Sequence, residues 1–188
     1  MKYQAGYVYH IKDAYFEKVK DDKLMQNKEG GTFRPTFYCY RDVKTGLLWM
    51  VPLSSRVHKY QAIHDKQMAK YGNCLMIVIG DFAGEKAAFL LQNMFPVTES
   101  YLDHVHTRNG NPVVVNHAVR RQIEINMKQI FRLRKRGRKM VFPDIDRLEK
   151  LMLEECRAEF KAEIAKGLAS IERGERIPAK DIKEEFGL

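Results

Sequence analysis

The stretch "LLWMVPLSSRVHKY", residues 47–60, changes its grammar halfway. Its first seven residues are apolar and rich in strand formers, Pro52 interrupts them, and Ser54 and Ser55 then precede Arg56, His58 and Lys59 at the mouth of a segment of helical composition. A strand that hands directly to a helix, with hydroxyls and cations at the join, predicts a mixed fold. It also predicts a polar corner where backbone N–H groups and positive charge point the same way.

Outward from that corner, the first half of the chain reads as strands. "QAGYVYHI" (4–11), "RPTFYCYR" (34–41), "LLWMVPL" (47–53), "CLMIVIGDF" (74–82) and "AAFLLQNMF" (87–95) are short, aromatic or β-branched, and bounded by Gly, Asp, Lys or Pro. Turn signals at 44–46 and 84–86 predict antiparallel hairpins. Residues 54–72 form a helix in this reading, capped by Ser54 or Ser55 and closed by Gly72. After the polar loop "TRNGNP" and a short strand "VVV", Asn116 caps a second helix whose apolar stripe is Val119, Ile123, Met127 and Ile130. A third helix starts near Asp144. The expected architecture is α+β: a curved antiparallel sheet or small barrel with flanking helices and a helical C-terminal extension. Residues 1–166 form one domain, and Gly167, Gly174 and Pro178 interrupt the helix to leave residues 167–188 as a loosely attached tail.

The chain of 188 residues carries a net charge of +9, and the charge is concentrated: about +4 over 1–115, +8 over 116–141 and −3 over 142–188. "RRQIEINMKQIFRLRKRGRK", residues 120–139, sets nine cations against Glu124 alone. A solvated helix face interleaves its signs, whereas a one-sign block is the footprint of a polyanion partner. Arg56, Arg120, Arg121, Lys128, Arg132, Arg134, Lys135, Arg136, Arg138 and Lys139 are the candidate residues for binding that polyanion. The apolar runs are too short to span a bilayer and no secretory core follows the first residues, so no membrane partner and a cytoplasmic location are expected. Three cysteines, widely spaced, give no disulfide framework and no zinc pattern.

Which chemistry suits two serines and several cations at a helix start? No Gly-x-Ser-x-Gly elbow is present, no Gly-rich phosphate loop, and no acidic cluster able to hold paired magnesium ions. "DHVHTRNGN" (103–111) holds a His-x-His, a weak metal signal without partners at ligand spacing, and no metal or other cofactor is expected. RNA cleavage needs neither. The substrate supplies its own 2′-OH nucleophile, and the protein must position the phosphate, stabilise charge and move protons. Hydroxyl donors aimed at the developing charge contribute about 3–4 kcal/mol each by analogy with oxyanion-hole donors.

"RPTFYCY", "LLWMVPLSSRVHKY" and "LLQNMFPV" (90–97), spaced in that order over residues 1–150, resemble the ToxN/AbiQ family of type III toxin-antitoxin endoribonucleases, most closely its CptN-type toxins. In that family an Arg-Pro or Lys-x pair opens one strand, a Pro-Leu-Ser/Thr-Ser motif closes the next, and an Asn-x-Ile-Pro-Val-like strand follows. The resemblance implies a compact fold similar to the Kid/MazF toxins. It also implies metal-independent cleavage of single-stranded, often adenine-rich RNA to a 2′,3′-cyclic phosphate and a 5′-OH. The implied partners are antitoxin RNA, cut into pseudoknot repeats and held with the toxin in a closed protein-RNA assembly, and cellular or phage RNA as substrate. The implied role is growth arrest or abortive infection in phage defence.

Carried over by position, the resemblance makes Ser54 and Ser55 the phosphate-positioning donors, Arg34 the cation at the start of the preceding strand, and Tyr15 in "DAYFEK" the early tyrosine. The family's lysine two residues beyond the serine pair meets Val57 here, so either His58 or Lys59 moves the proton. A family tyrosine shortly before Arg34 is replaced by "EGGT". Tyr38, Tyr40 and Phe33 are candidates for stacking on unpaired bases. Two other readings use the same residues: a non-catalytic structured-RNA-binding module in which the serines only cap a helix, and a protein-protein adaptor for an acidic partner.

Overall fold

A computed structural model describes residues 3–29 and 31–173. The chain divides into two units after Met152. In chain order the elements are β1 (Val8–Ile11), α1 (Asp13–Val19), β2 (Lys28–Glu29), β3 (Thr32–Phe33), β4 (Thr36–Arg41), β5 (Leu48–Ser54), α2 (Val57–Tyr71), β6 (Ile77–Phe82), β7 (Glu85–Leu90), β8 (Phe95–Val97), β9 (Leu102–Val105), β10 (Thr107–Arg108), β11 (Asn111–Pro112), α3 (His117–Lys135) and α4 (Ile145–Glu172).

Seven of these strands make one antiparallel sheet in the order β6-β7-β5-β4-β1-β9, with β8 also paired to β5. The expected α+β class and antiparallel sheet are present. The barrel alternative is not, because β6 and β9 lie at opposite ends of an open sheet. Register shifts between Tyr38 and Tyr40 and between Tyr9 and Ile11 supply the local bends that a curved sheet needs without closing it.

β5 is the hinge of the architecture. Along one edge it pairs with β4 from Leu48 to Pro52; along the other, Leu48, Trp49 and Met50 pair with β8, whereas Leu53 and Ser54 pair with β7. Pro52, with no N–H to give, falls at the changeover between β8 and β7, where a ladder bond would otherwise be lost. The single strand expected over 87–95 is therefore two. β7 ends at Leu90, one 3-10 turn (Leu91–Asn93) follows, and β8 starts at Phe95. Leu90, Leu91, Met94 and Phe95 are all buried, so hydrophobicity alone gave no sign of the break.

Every residue of β5 is buried. Trp49, Val51 and Leu53 enter the main core with Phe37, Phe89 and the Ile123, Met127 and Ile130 stripe of α3. Leu48 and Met50, on the other face by strand alternation, are sealed as well. On that side Tyr15 of α1 stacks on Phe95, the strand neighbour of Met50, with ring centroids 5.2 Å apart. Gly80 of β6 lets α3 approach closely, since a Cβ there would stand 2.4 Å from Val119 Cγ2.

The helices confirm Asn116 as the cap of α3, its side chain accepting from the Ala118 N–H at 2.8 Å. α2 differs: its N-cap is Arg56, and neither serine caps it. α4 runs on through Gly167 to Glu172, so that glycine does not end the helix; residues 174–188, with Gly174 and Pro178, lie outside the described residues. Among the described residues no helix is long and apolar enough to cross a membrane.

Candidate active site

A cavity of ≈ 480 Å³ opens where β5 ends, and its walls come from four places in the chain. Leu53, Ser54 and Ser55 form one wall; Phe33, Arg34 and Pro35 come from the β3-β4 junction; Phe82, Ala83, Glu85, Lys86 and Ala87 come from the β6-β7 hairpin; and His106, Thr107 and Arg108 follow β9. The hairpin turns on Ala83 and Gly84, at φ of 53° and 84°, the left-handed pair that a two-residue turn of this hand requires.

Ser54 is the last residue of β5 and is 4% exposed. Its Oγ accepts from the Arg56 N–H at 3.2 Å, a local turn that steers the chain from strand to helix. A hydroxyl that accepts still has its proton to donate. Ser55 is exposed at the mouth, and its carbonyl accepts from the Val57 N–H at 2.8 Å. The first turn of α2 contains no acidic residue, so its unpaired N–H groups face no competing carboxylate of their own helix.

Arg34 is tied down from two sides: Nε donates to the Gln26 carbonyl at 3.0 Å and Nη1 to the Leu53 carbonyl at 2.9 Å. The guanidinium thus locks the end of β5 while placing its charge at the cavity wall. Arg108 pairs with Glu85 at 3.0 Å across the same cavity, and Lys86 completes the cationic lining.

Three candidates, Ser54, Ser55 and Arg34, are therefore brought together. Exposed His58 and Lys59 sit one helical turn away and do not line the cavity. Tyr15 is corrected outright. It is fully buried, its hydroxyl donates to the Pro96 carbonyl at 2.9 Å, and burial raises its pKa well above the tyrosine value, so it is a core residue beyond a substrate's reach. Of the stacking candidates, Tyr38 is buried, Tyr40 packs edge-on to Phe131, and Phe33 alone reaches the cavity.

The basic block divides in the same way. Arg121, Lys128, Arg132, Lys135, Arg136, Arg138 and Lys139 are exposed. Arg134 is committed to Asp146 and Glu149, and Arg120 donates to Glu124 at 3.1 Å while lying against Gly6.

His106 was not among the expected site residues, although the His-x-His pattern was visible. Strand pairing of β1 with β9 gathers His10, His104 and His106: His10 stacks on His104 with centroids 4.6 Å apart, and His10 Nε2 lies 2.9 Å from His106 Nδ1. Burial first, then His104 and His106, pushes His10 down to about 4. The unfolded chain binds that proton near pH 6.5, so His10 leaves stability intact above this value and removes it as pH falls toward 4, by about 3 kcal/mol at most. Urea midpoints at about pH 7.5 and 4.5 check this: His10→Phe is expected to shrink the native protein's loss by about 2 kcal/mol, and an unchanged loss would refute it.

No protein-family model matches the chain, and no curated protein matches it. Among solved structures it is similar to AbiQ, a lactococcal anti-phage endoribonuclease belonging to the type-III toxin-antitoxin system, with a TM-score of 0.64 over 82% of this chain and 99% of that chain at 14% identity. At that identity the likeness is one of fold: the open antiparallel α+β architecture that frames the cavity is shared with AbiQ.

Proposed function

We propose that this protein is the toxin of a type III toxin-antitoxin system, an endoribonuclease that cuts single-stranded RNA by 2′-OH attack and needs no metal. The observation that carries the reading is the meeting of Ser54, Ser55 and Arg34 in one cavity at a helix start, within a fold shared with an endoribonuclease of that system.

The scissile phosphate sits at the Ser55 mouth. The two hydroxyls donate to its non-bridging oxygens beside the positive end of α2, and Arg34, Lys86 and Arg108 offset the charge that builds on the phosphorane. The 2′-oxygen bonds to phosphorus, the P–O5′ bond breaks, and the products are a 2′,3′-cyclic phosphate and a 5′-OH. Phe33 and Phe82 offer flat apolar surface to an unpaired base. The exposed cations of α3 and the segment after it hold structured antitoxin RNA, whose pseudoknot repeats the toxin cuts from their own transcript and by which it is locked in a closed assembly. Freed in the cytoplasm, the toxin acts on cellular or phage RNA and arrests growth.

A gel assay with adenine-rich single-stranded RNA in EDTA tests this directly. The native protein is expected to leave cyclic phosphate and 5′-OH ends, and Ser55→Ala to cut about 10²–10³-fold more slowly with RNA binding retained. Ser55→Ala cutting at the native rate would remove the serines from the mechanism. Tight binding with no cutting by the native protein would make the chain an RNA-binding module.

A further inference from the structure

We propose that His106 is the catalytic base that takes the 2′-OH proton, and that His10 is the positioning residue that holds its ring. This rests on the ribonuclease reading above and supplies the proton acceptor that His58 and Lys59, outside the cavity, do not.

His106 is half-buried, follows the end of β9, and lines the same cavity as Ser54, Ser55 and Arg34. Its backbone is fixed, the N–H donating to the Val8 carbonyl at 2.7 Å and the carbonyl accepting from the Val113 N–H at 2.9 Å. Its ring lies against Phe82 with centroids 5.4 Å apart, so the imidazole has an apolar wall on that side. Nδ1 meets His10 Nε2 at 2.9 Å, which leaves Nε2 on the far edge of the ring. With Nδ1–H donating to His10, the lone pair sits on Nε2, where a base needs it.

His10 is suited to that one task. It is 7% exposed, and its other nitrogen, Nδ1, is buried with no hydrogen-bond partner among the described residues, so His106 is its only polar attachment there. The titratable and charged groups around His106 are His10 from β1, His104 and Asp103 from β9, Arg108 from β10, Glu85 and Lys86 from β7, and Arg34. Asp103 is turned to His104 Nδ1 at 2.9 Å and Glu85 to Arg108, so neither carboxylate competes for the His106 proton. Burial and then His104 hold His106 below the ordinary histidine value, which keeps it neutral at neutral pH. His10, pushed down to about 4, remains neutral when His106 becomes an imidazolium and accepts its Nδ1–H. A metal role does not fit the cluster: His10 and His104 stack face to face, and among the described residues no group of three or more His, Cys, Asp or Glu is placed to hold an ion.

In the step, the 2′-O–H proton passes to His106 Nε2 as the 2′-oxygen bonds to phosphorus. The P–O5′ bond breaks, the departing oxygen takes a proton from solvent water, and the imidazolium returns its proton to solvent.

The test is single-turnover cleavage of an adenine-rich RNA oligonucleotide in EDTA, from about pH 4.5 to 8, by the native protein, His106→Ala, His10→Asn, His10→Leu and Ser55→Ala. The native rate is expected to rise with pH and level off below pH 6.5, since the neutral base is the active form. His106→Ala should lose about 10²–10³-fold in rate with RNA affinity unchanged, lose that acid limb, and regain at least about tenfold with added imidazole. His10→Asn, which keeps an acceptor for Nδ1–H, should cut faster than His10→Leu. A His106→Ala rate within about twofold of native, or an unchanged acid limb, overturns the assignment while native cleavage and a strongly slowed Ser55→Ala leave the ribonuclease reading standing. No cleavage by the native protein overturns both.

Discussion

Trp49→Ala is expected to remove about 3–5 kcal/mol of stability, the largest loss from any single side chain in the sheet. The indole is 1% exposed, sits near the start of β5, and meets Phe131 of α3 edge-on with centroids 4.7 Å apart. Its strand neighbours are Tyr40 on one side and Pro96 on the other. Deleting it opens a cavity between sheet and helix at the strand that β4, β7 and β8 all pair with. A domain of this size has about 5–15 kcal/mol in total, so the variant stands near its folding limit. The ring's Nε1 makes the comparison sharper, because it is buried without a hydrogen-bond partner among the described residues. Trp49→Phe should therefore cost only about 1 kcal/mol, the lost contacts being partly offset by removing a stranded donor. Urea unfolding followed by far-ultraviolet dichroism measures both, since Trp49 is the chain's one tryptophan and its fluorescence disappears with it. A Trp49→Ala cost below about 1 kcal/mol would mean the sheet and α3 do not depend on this contact.

What the sequence disclosed and what it withheld follow from the range of the forces involved. Strand composition, hairpin turns and the Asn116 cap are local, and they placed β1, β4, β5, β6 and α3 close to where they lie. The split between β7 and β8 was hidden because it answers to β5, a partner distant in sequence, and both pieces are apolar. "TRNGNP" looked like a loop, yet Asn109 and Gly110, at φ of 53° and 78°, make it a hairpin turn joining β10 to β11, a signal that the Asn-Gly pair did carry. Ser54, Ser55 and Arg34 were legible as candidates because strand-to-helix punctuation and the spacing of the motifs that resemble the ToxN/AbiQ family mark them. His106 was not, since its chemistry depends on His10, 96 residues earlier, and only the β1-β9 pairing brings the two rings together. Tyr15 and Arg134 misled for the converse reason: their residue types suit a site, but tertiary partners had already claimed them.

Replacing Arg132, Lys135, Arg136, Arg138 and Lys139 together by glutamine is expected to weaken binding of structured RNA by about three to four orders of magnitude at 0.1 M salt. These five are exposed and lie within eight positions of one another at the end of α3 and just beyond it. Each phosphate they neutralise contributes about 0.7–0.9 to the slope of log affinity against log salt, so the slope should fall by about four. Arg134→Gln is the control within the same stretch. Its guanidinium already serves Asp146 and Glu149, so it should loosen the packing of α3 against the start of α4 and leave the salt slope unchanged. Binding and chemistry then separate. At saturating RNA the five-residue variant should cut at the native single-turnover rate, because none of the five lines the cavity, whereas Ser55→Ala should bind normally and cut about 10²–10³-fold more slowly. Filter binding at several salt concentrations decides it: affinity within about tenfold of native and an unchanged slope would place the polyanion face elsewhere, despite the one-sign charge of residues 120–139.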